Sequence, residues 1–274
     1  MAIIFDGKKL AEEKEKILAQ KVAELKKKTG ITPKLTAFLI GENPASILYL
    51  KKKSEAGKRV GIEVEVVKIK KITSLINLIE EKNNDFKTHG IMVQLPLPEE
   101  FKNWELKILE SISPIKDVDC LTPVNLGLLA RGQPRFLPAT VKAVLEIIKN
   151  SNFKVLGSNI VVVGASNIVG KPLALLLSNL GATVTLCRSK TKNLAKFTCQ
   201  ADFLISATGV PNLIKAEMVK REAIVIDVGA PKADVDFEKV KKIASFITPV
   251  PGGVGPLTVV SLLENLLIAF ERTS

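Results

Sequence analysis

Val161-Val-Val-Gly-Ala-Ser-Asn-Ile-Val-Gly170 is the stretch on which the fold turns. Its β-branched run closes a strand spanning 159–164, and Gly164 permits a tight turn because it has no Cβ to clash. GKPLALLLSNLG then carries apolar residues at helical spacing. Strand, glycine turn and helix open a dinucleotide-binding βαβ unit, whose amides at 166–170 would face a pyrophosphate. The segment is not GxGxxG, and by itself it suits a plain βα turn with glycine for packing equally well.

Reading outward favours the nucleotide. The next strand, ATVTLC (182–187), ends in Arg188-Ser-Lys-Thr-Lys192. NAD sites place Asp or Glu here for the ribose hydroxyls, whereas cations and hydroxyls suit the 2′-phosphate of NADP. A solvated basic loop is the other reading, but the position after the second strand points to NADP. The strand DFLISAT (202–208), a short helix and the strand AIVIDVG (223–229) extend the sheet. Upstream, Thr140 is placed to cap a helix reaching Lys149.

The first half alternates in the same way. Leu10, Ile17, Leu18, Val22 and Leu25 mark an amphipathic helix, LTAFLI (35–40) a buried strand, and 44–60 a second helix. EVEVVKI reads as a strand, TSLINLIEEKNN as a helix, and GIMVQLPL (90–97) as a strand running into prolines. A last helix from about Thr258 carries Val259, Leu262, Leu263, Leu266, Leu267 and Phe270 on one stripe, which docking on the first domain would bury. The expected fold is α/β: two α/β domains with mostly parallel sheets, the second Rossmann-like and NAD(P)-binding, and a cleft between them. The first would span 1–121, completed by 257–274, and the second 122–256.

Composition excludes several classes. At 46% apolar and 25% charged residues, the 274-residue chain is globular rather than disordered. The start MAIIFDGKKL lacks the apolar core of a signal peptide, and no uncharged apolar stretch of about 18 residues is read as a span, so no membrane role is expected. Three cysteines without CxxC spacing point to a reducing, cytoplasmic setting and no structural metal. With one histidine and one tyrosine, acid–base work falls to Lys, Asp, Glu or Tyr49. The net charge of +12 suits nucleic acid or a small polyanion alike, but the lysines are dispersed and aromatics are only 5%, so nucleic acid ranks low.

Four segments carry chemistry. In Gly41-Glu-Asn-Pro-Ala-Ser-Ile-Leu-Tyr-Leu-Lys-Lys-Lys53, helical spacing puts Ser46, Tyr49 and Lys53 on one face, with Lys51 and Lys52 directed to water. Val93-Gln-Leu-Pro-Leu-Pro98 ends a strand at Gln94, where α/β sites collect. Lys116-Asp-Val-Asp119 and the glycine-rich Pro249-Val-Pro-Gly-Gly-Val-Gly-Pro-Leu-Thr258 complete the set. His89 falls in a loop before a strand and is assigned no role. Together with GASNIVGKP, TKNL and VIDVG, these motifs resemble the bifunctional methylenetetrahydrofolate dehydrogenase/cyclohydrolase family, in order, from about Asp6 to Glu264.

The resemblance implies NADP-dependent oxidation of 5,10-methylenetetrahydrofolate, then hydrolysis to 10-formyltetrahydrofolate, in one-carbon metabolism. It implies that Lys53 is the catalytic lysine, that Tyr49 lines and orients the folate, and that Gln94 bonds the lysine and helps set its protonation. Asp119 would grip the pterin, with Ser46, Pro251 and Gly252 bordering the folate. On the cofactor side it implies Gly164, Ala165, Ser166, Arg188, Ser189, Thr208, Gly209 and Ala230. A homodimer through the nucleotide domain and a small-molecule folate substrate also follow from it. A lysine beside a second positive centre has its ammonium disfavoured, which suits a general base.

This chain departs from the family in places. Cys120 stands where glycine follows the aspartate, Ala139 and Val141 replace a Cys and a Pro, and Arg188 takes a spot often held by His. The loop APKADVDF is short, with Ala230 at its start. Two other functions stay open: a dehydrogenase with weak or absent cyclohydrolase, and a non-catalytic basic nucleotide- or nucleic-acid-binding protein.

Overall fold

The computed structural model describes residues 2–151 and 153–273. In chain order the elements are β1 (Ile3–Ile4), α1 (Gly7–Thr29), β2 (Lys34–Ile40), α2 (Pro44–Val60), β3 (Glu63–Ile69), α3 (Ile72–Asn84) and β4 (Gly90–Val93). There follow α4 (Glu105–Ser111), α5 (Pro123–Ala130), α6 (Ala139–Asn150), β5 (Asn159–Val163), α7 (Gly170–Asn179) and β6 (Thr183–Cys187). The chain ends with α8 (Leu194–Thr198), β7 (Phe203–Ser206), β8 (Ile224–Asp227), α9 (Phe237–Val240), β9 (Phe246–Ile247) and α10 (Val254–Thr273).

Two compact units result. One is built from Met1–Ala11, Leu129–Gln133 and Thr140–Thr258, the other from Glu12–Leu128, Pro134–Ala139 and Val259–Ser274. Residues 2–11 lie with the first because Ile3 and Ile4 pair with Phe246 and Ile247. Segments 122–128 and 134–139 lie with the second, so the chain crosses between the units several times.

The first unit holds a six-stranded parallel sheet in the order β1-β9-β8-β7-β5-β6. The chain lays β6 on one side of β5 and returns to lay β7 on the other. That reversal leaves a crevice outside the carboxyl ends of β5 and β7, where ligands of such sheets bind. The run Ile160–Val163 is buried, as parallel strands covered on both faces require. Val161, Val163, Leu204, Val225 and Ile247 pack in one core cluster.

The second unit has a three-stranded parallel sheet, β3-β2-β4. Central β2 buries every residue from Leu35 to Ile40. At the edge of this sheet β4 stops at Val93, earlier than the sequence suggests, because Pro96 and Pro98 cannot donate to a ladder. One further rung forms, from Gln94 N to Phe38 O at 2.9 Å.

Two local expectations need correction. Thr140 lies inside α6, which starts at Ala139, so it is not an N-cap. The last helix begins at Val254, one turn before Thr258, since Gly253 N already bonds Pro249 O at 2.9 Å. The stretch Val254–Arg272, though interrupted by Glu264, is long and apolar enough to cross a membrane by length and composition. Yet 67% of that window is buried inside the protein, which marks it as a core helix.

Candidate active site

Lys53 owes its position to α2. Asn43 caps the helix by accepting from Ala45 N and Ser46 N at 2.9 and 3.2 Å, and Pro44 opens it with a preset φ. Gly61, at φ 81°, closes it in the left-handed conformation. The buried stripe of this helix is Ser46, Leu50, Lys53, Ala56, Gly57 and Val60. A lysine therefore occupies a core-facing position and is only 7% exposed.

Its partners come from the adjoining strand. Lys53 Nζ donates to Gln94 Oε1 at 3.0 Å and approaches Met92 Sδ at 3.5 Å. Gln94 is oriented by its own Nε2, which donates to Leu95 O at 2.8 Å, leaving the carbonyl oxygen for the lysine. Burial holds the Lys53 amine below the ordinary lysine range, and the Asp119 carboxylate pulls the other way. Within the protein the cause is thus desolvation, and the neighbouring protein charge is negative. Burial lifts the Asp119 carboxyl above its usual range, with Lys53 opposing and Asp117 adding.

The Asp119 turn is built from below. Asp117, fully buried, accepts from Leu121 N, Thr122 N and Asn125 Nδ2 at 3.2, 2.8 and 2.9 Å. Arg135 Nη1 in turn donates to Asn125 Oδ1 at 2.8 Å. From α10, Asn265 Nδ2 donates to Val118 O and Leu137 O at 2.9 and 2.8 Å. Cys120 has φ 59°, so the backbone keeps the left-handed turn that glycine adopts easily and a cysteine bears at a cost. Its Sγ donates to Phe136 O at 3.1 Å, and burial pushes the thiol up, so it is held protonated.

Ser46 is buried and Tyr49 half-buried on the same helix, with burial raising the phenol above its usual range. Lys51 and Lys52 are both exposed as expected, with the Lys52 ammonium 5.9 Å from the Tyr49 ring centroid. His89 is buried, with Nδ1 accepting from Lys34 N at 3.1 Å and its ring edge-on to Phe270 at 4.7 Å. Met92 was not foreseen, although strand alternation alone puts it on the face of Gln94.

The second constellation lies at the β5/β7 switch of the six-stranded sheet. Gly164 has φ 110°, and a Cβ there would stand 2.3 Å from Ala207 O. At Gly170 a Cβ would meet Gly164 O at 1.7 Å. Only glycine fits either place, which makes a backbone cradle of the kind a pyrophosphate needs. Not all amides at 166–170 are free for it: Ser166 Oγ accepts from Val169 N and Gly170 N at 3.1 and 3.5 Å. A serine hydroxyl takes over the helix start when its geometry matches an amide three residues on.

Past β6, Arg188 N donates to Thr191 Oγ1 and Thr191 N to Arg188 O, both at 2.9 Å, closing a tight turn. Arg188, Ser189 and Lys190 are exposed on it, a cationic rim suited to an added phosphate. At the end of β7, half-buried Thr208 and exposed Gly209 both bond Asp234. Ala230 is exposed after β8. In the loop before α10, Pro251 is exposed, and the Gly253 carbonyl oxygen would stand 2.0 Å from a Cβ on Gly7. Gly252 has φ 106°. The donors and the glycine cradle fit a dinucleotide.

Comparison with known proteins agrees. Residues 5–119 match the tetrahydrofolate dehydrogenase/cyclohydrolase catalytic domain, and residues 138–274 match the NAD(P)-binding domain of the same name. The chain is 47% identical to the bifunctional protein FolD of Exiguobacterium sibiricum, over 98% of this chain and 99% of that one. The crystal structure of the bifunctional FolD enzyme from Campylobacter jejuni superposes with a TM-score of 0.93 at 44% identity, covering 99% and 100% of the two chains. The Trypanosoma brucei methylenetetrahydrofolate dehydrogenase-cyclohydrolase, complexed with NADP cofactor and inhibitor, gives 0.94 at 36% identity, covering 99% and 98%.

Proposed function

The chain belongs to the tetrahydrofolate dehydrogenase/cyclohydrolase family, and from that premise we propose how its own residues divide the work. It is an NADP-dependent methylenetetrahydrofolate dehydrogenase and methenyltetrahydrofolate cyclohydrolase. The observation that carries the hydrolytic half is a buried amine, Lys53 Nζ, held 3.0 Å from Gln94 Oε1. In its neutral form Lys53 accepts a proton from the water that attacks the methenyl carbon. As ammonium it then returns that proton to the ring nitrogen whose bond to carbon breaks. The carbinol hydroxyl gives its own proton to solvent as the C=O of the formyl group forms on the other nitrogen. Gln94 keeps the lone pair aimed by accepting only through its carbonyl oxygen.

Asp119, its carboxyl lifted by burial, offers either a donor or an acceptor to the pterin edge. Tyr49 and Ser46 line the folate from the same helix, and Pro251 and Gly252 border it. When bound, NADP supplies the acceptor for the hydride leaving the methylene carbon. Gly164, Ala165 and Ser166 cradle its pyrophosphate, Arg188 and Ser189 take the 2′-phosphate, and Thr208, Gly209 and Ala230 face the rest.

Following the appearance of the methenyl chromophore with methylenetetrahydrofolate and NADP tests the oxidation, and its decay tests the hydrolysis. A persistent chromophore would leave only the dehydrogenase. Arg188→Ala with Ser189→Ala is expected to raise the apparent KM for NADP about tenfold or more while moving that for NAD little, since charge-assisted contacts to phosphate are the strong ones. Equal changes for both cofactors refute the phosphate assignment.

Finer readings follow. A homodimer would form through the six-stranded unit, where β6 is an edge strand beside exposed Leu175 of α7 and Leu180 just past its end. Three free cysteines suit the cytoplasm. Formyl transfer in purine biosynthesis would use the product.

A further inference from the structure

Asp234 is fully buried, and its two carboxylate oxygens are treated unequally. Oδ2 accepts from Ser206 Oγ at 2.9 Å, Thr208 N at 2.7 Å, Thr208 Oγ1 at 2.9 Å and Gly209 N at 3.3 Å. Oδ1 is one of the buried side-chain atoms left without a hydrogen-bond partner. It abuts Gly229, where a Cβ would stand 2.7 Å away, so no larger residue fits there. A buried charged oxygen without a partner is costly, and a plain loop would turn it outward to water.

The loop is held so that it cannot turn. Asp234 N donates to Asp227 Oδ1 at 3.2 Å, and the same carboxylate accepts from Gly229 N at 2.8 Å and Val235 N at 2.9 Å. Ile214 N donates to Asp234 O at 3.0 Å, and Asn212 N to Ala233 O at 3.0 Å. Two carboxylates thereby tie the loop after β8 to the end of β7. One oxygen collects donors from Ser206, Thr208 and Gly209, fixing both the hydroxyl of Thr208 and the amide of Gly209.

We propose that Asp234 is a positioning residue for NADP, acting through Thr208 and Gly209 by ordering that turn before the dinucleotide arrives. The inference rests on the reading that these two residues border the cofactor. An ordered turn spares the cofactor the entropy of ordering it on binding, so its loss weakens affinity more than turnover.

The test combines calorimetric titration of NADP with amide hydrogen exchange on the full chain, for wild type, Asp234→Asn and Asp234→Ala. Asparagine keeps the shape and one acceptor oxygen without the charge, and alanine removes the tie. Both are expected to weaken NADP binding, by about tenfold for alanine and less for asparagine, because the lost bonds are charge-assisted. The KM for NADP should rise more than kcat falls. Exchange at Thr208 and Gly209 should accelerate while β5 amides keep their protection.

Unchanged affinity in both variants, or unchanged exchange at the turn, overturns the proposal. So does acceleration throughout the sheet with a lowered unfolding temperature, which would make Asp234 a general stabiliser. Absence of NADP binding by the wild type would instead strike the cofactor reading itself, and this inference with it.

Discussion

Lys53→Met is expected to slow methenyl hydrolysis by roughly 10²–10⁴-fold, the usual worth of one acid–base group, with folding and NADP binding intact. Methionine nearly matches lysine in length and carries no charge, so the stripe from Ser46 to Val60 stays filled. The substitution leaves Gln94 Oε1 without its donor at 3.0 Å, a loss of about 1–3 kcal/mol in stability. That is tolerable for a chain relieved of a buried amine whose charged form burial disfavours. Hydrolysis within a few-fold of wild type in a normally folded variant would sink the mechanism.

The pH profile gives the sign independently. Burial depresses the Lys53 pKa, so the neutral amine, and with it the hydrolytic kcat, should rise with pH and level off below the ordinary lysine range. Asp119 works against that depression. Asp119→Asn should therefore lower the lysine pKa further and move the rising limb to lower pH. A limb displaced to higher pH contradicts this electrostatic reading.

Gly164→Ala is the second large effect. The methyl would stand 2.3 Å from Ala207 O, and the residue holds φ 110°, which alanine adopts only under strain. Both neighbours are backbone and cannot step aside. A cost of about 3 kcal/mol or more is expected, which lowers Tm by about 6–12 °C in a chain of this size. Below that transition, dehydrogenase activity and NADP binding should be lost while methenyl hydrolysis persists, since Lys53, Gln94 and Asp119 belong to the other unit. Wild-type affinity for NADP in this variant would contradict the assigned cradle.

Much of this architecture is legible in local pattern. EVEVVKI is strand β3 from Glu63 to Ile69, and Pro44 to Val60 is helix α2, because alternation and a proline-to-glycine frame act within a few residues. Helical spacing also separates Lys53 from Lys51 and Lys52. The two-residue strands β1 and β9 were not legible, since so short a segment has no period of its own and exists only by pairing. Cys120 illustrates the limit at the site: the sequence shows a departure from glycine, and only the fold shows that the left-handed turn survives it.

The sequence by itself determined the alternation of strands and helices, the glycine turn at Gly164, the family and Lys53 as the candidate lysine. Those follow from periodicity, turn chemistry and motifs, all written in neighbouring residues. Tertiary structure alone decided that burial, opposed by a carboxylate, depresses the lysine's pKa, and that Met92 shares its pocket. It alone gathered four donors on Asp234 from residues 25–28 positions away. Desolvation and long-range hydrogen bonds exist only once distant segments are packed together, and no local pattern encodes them.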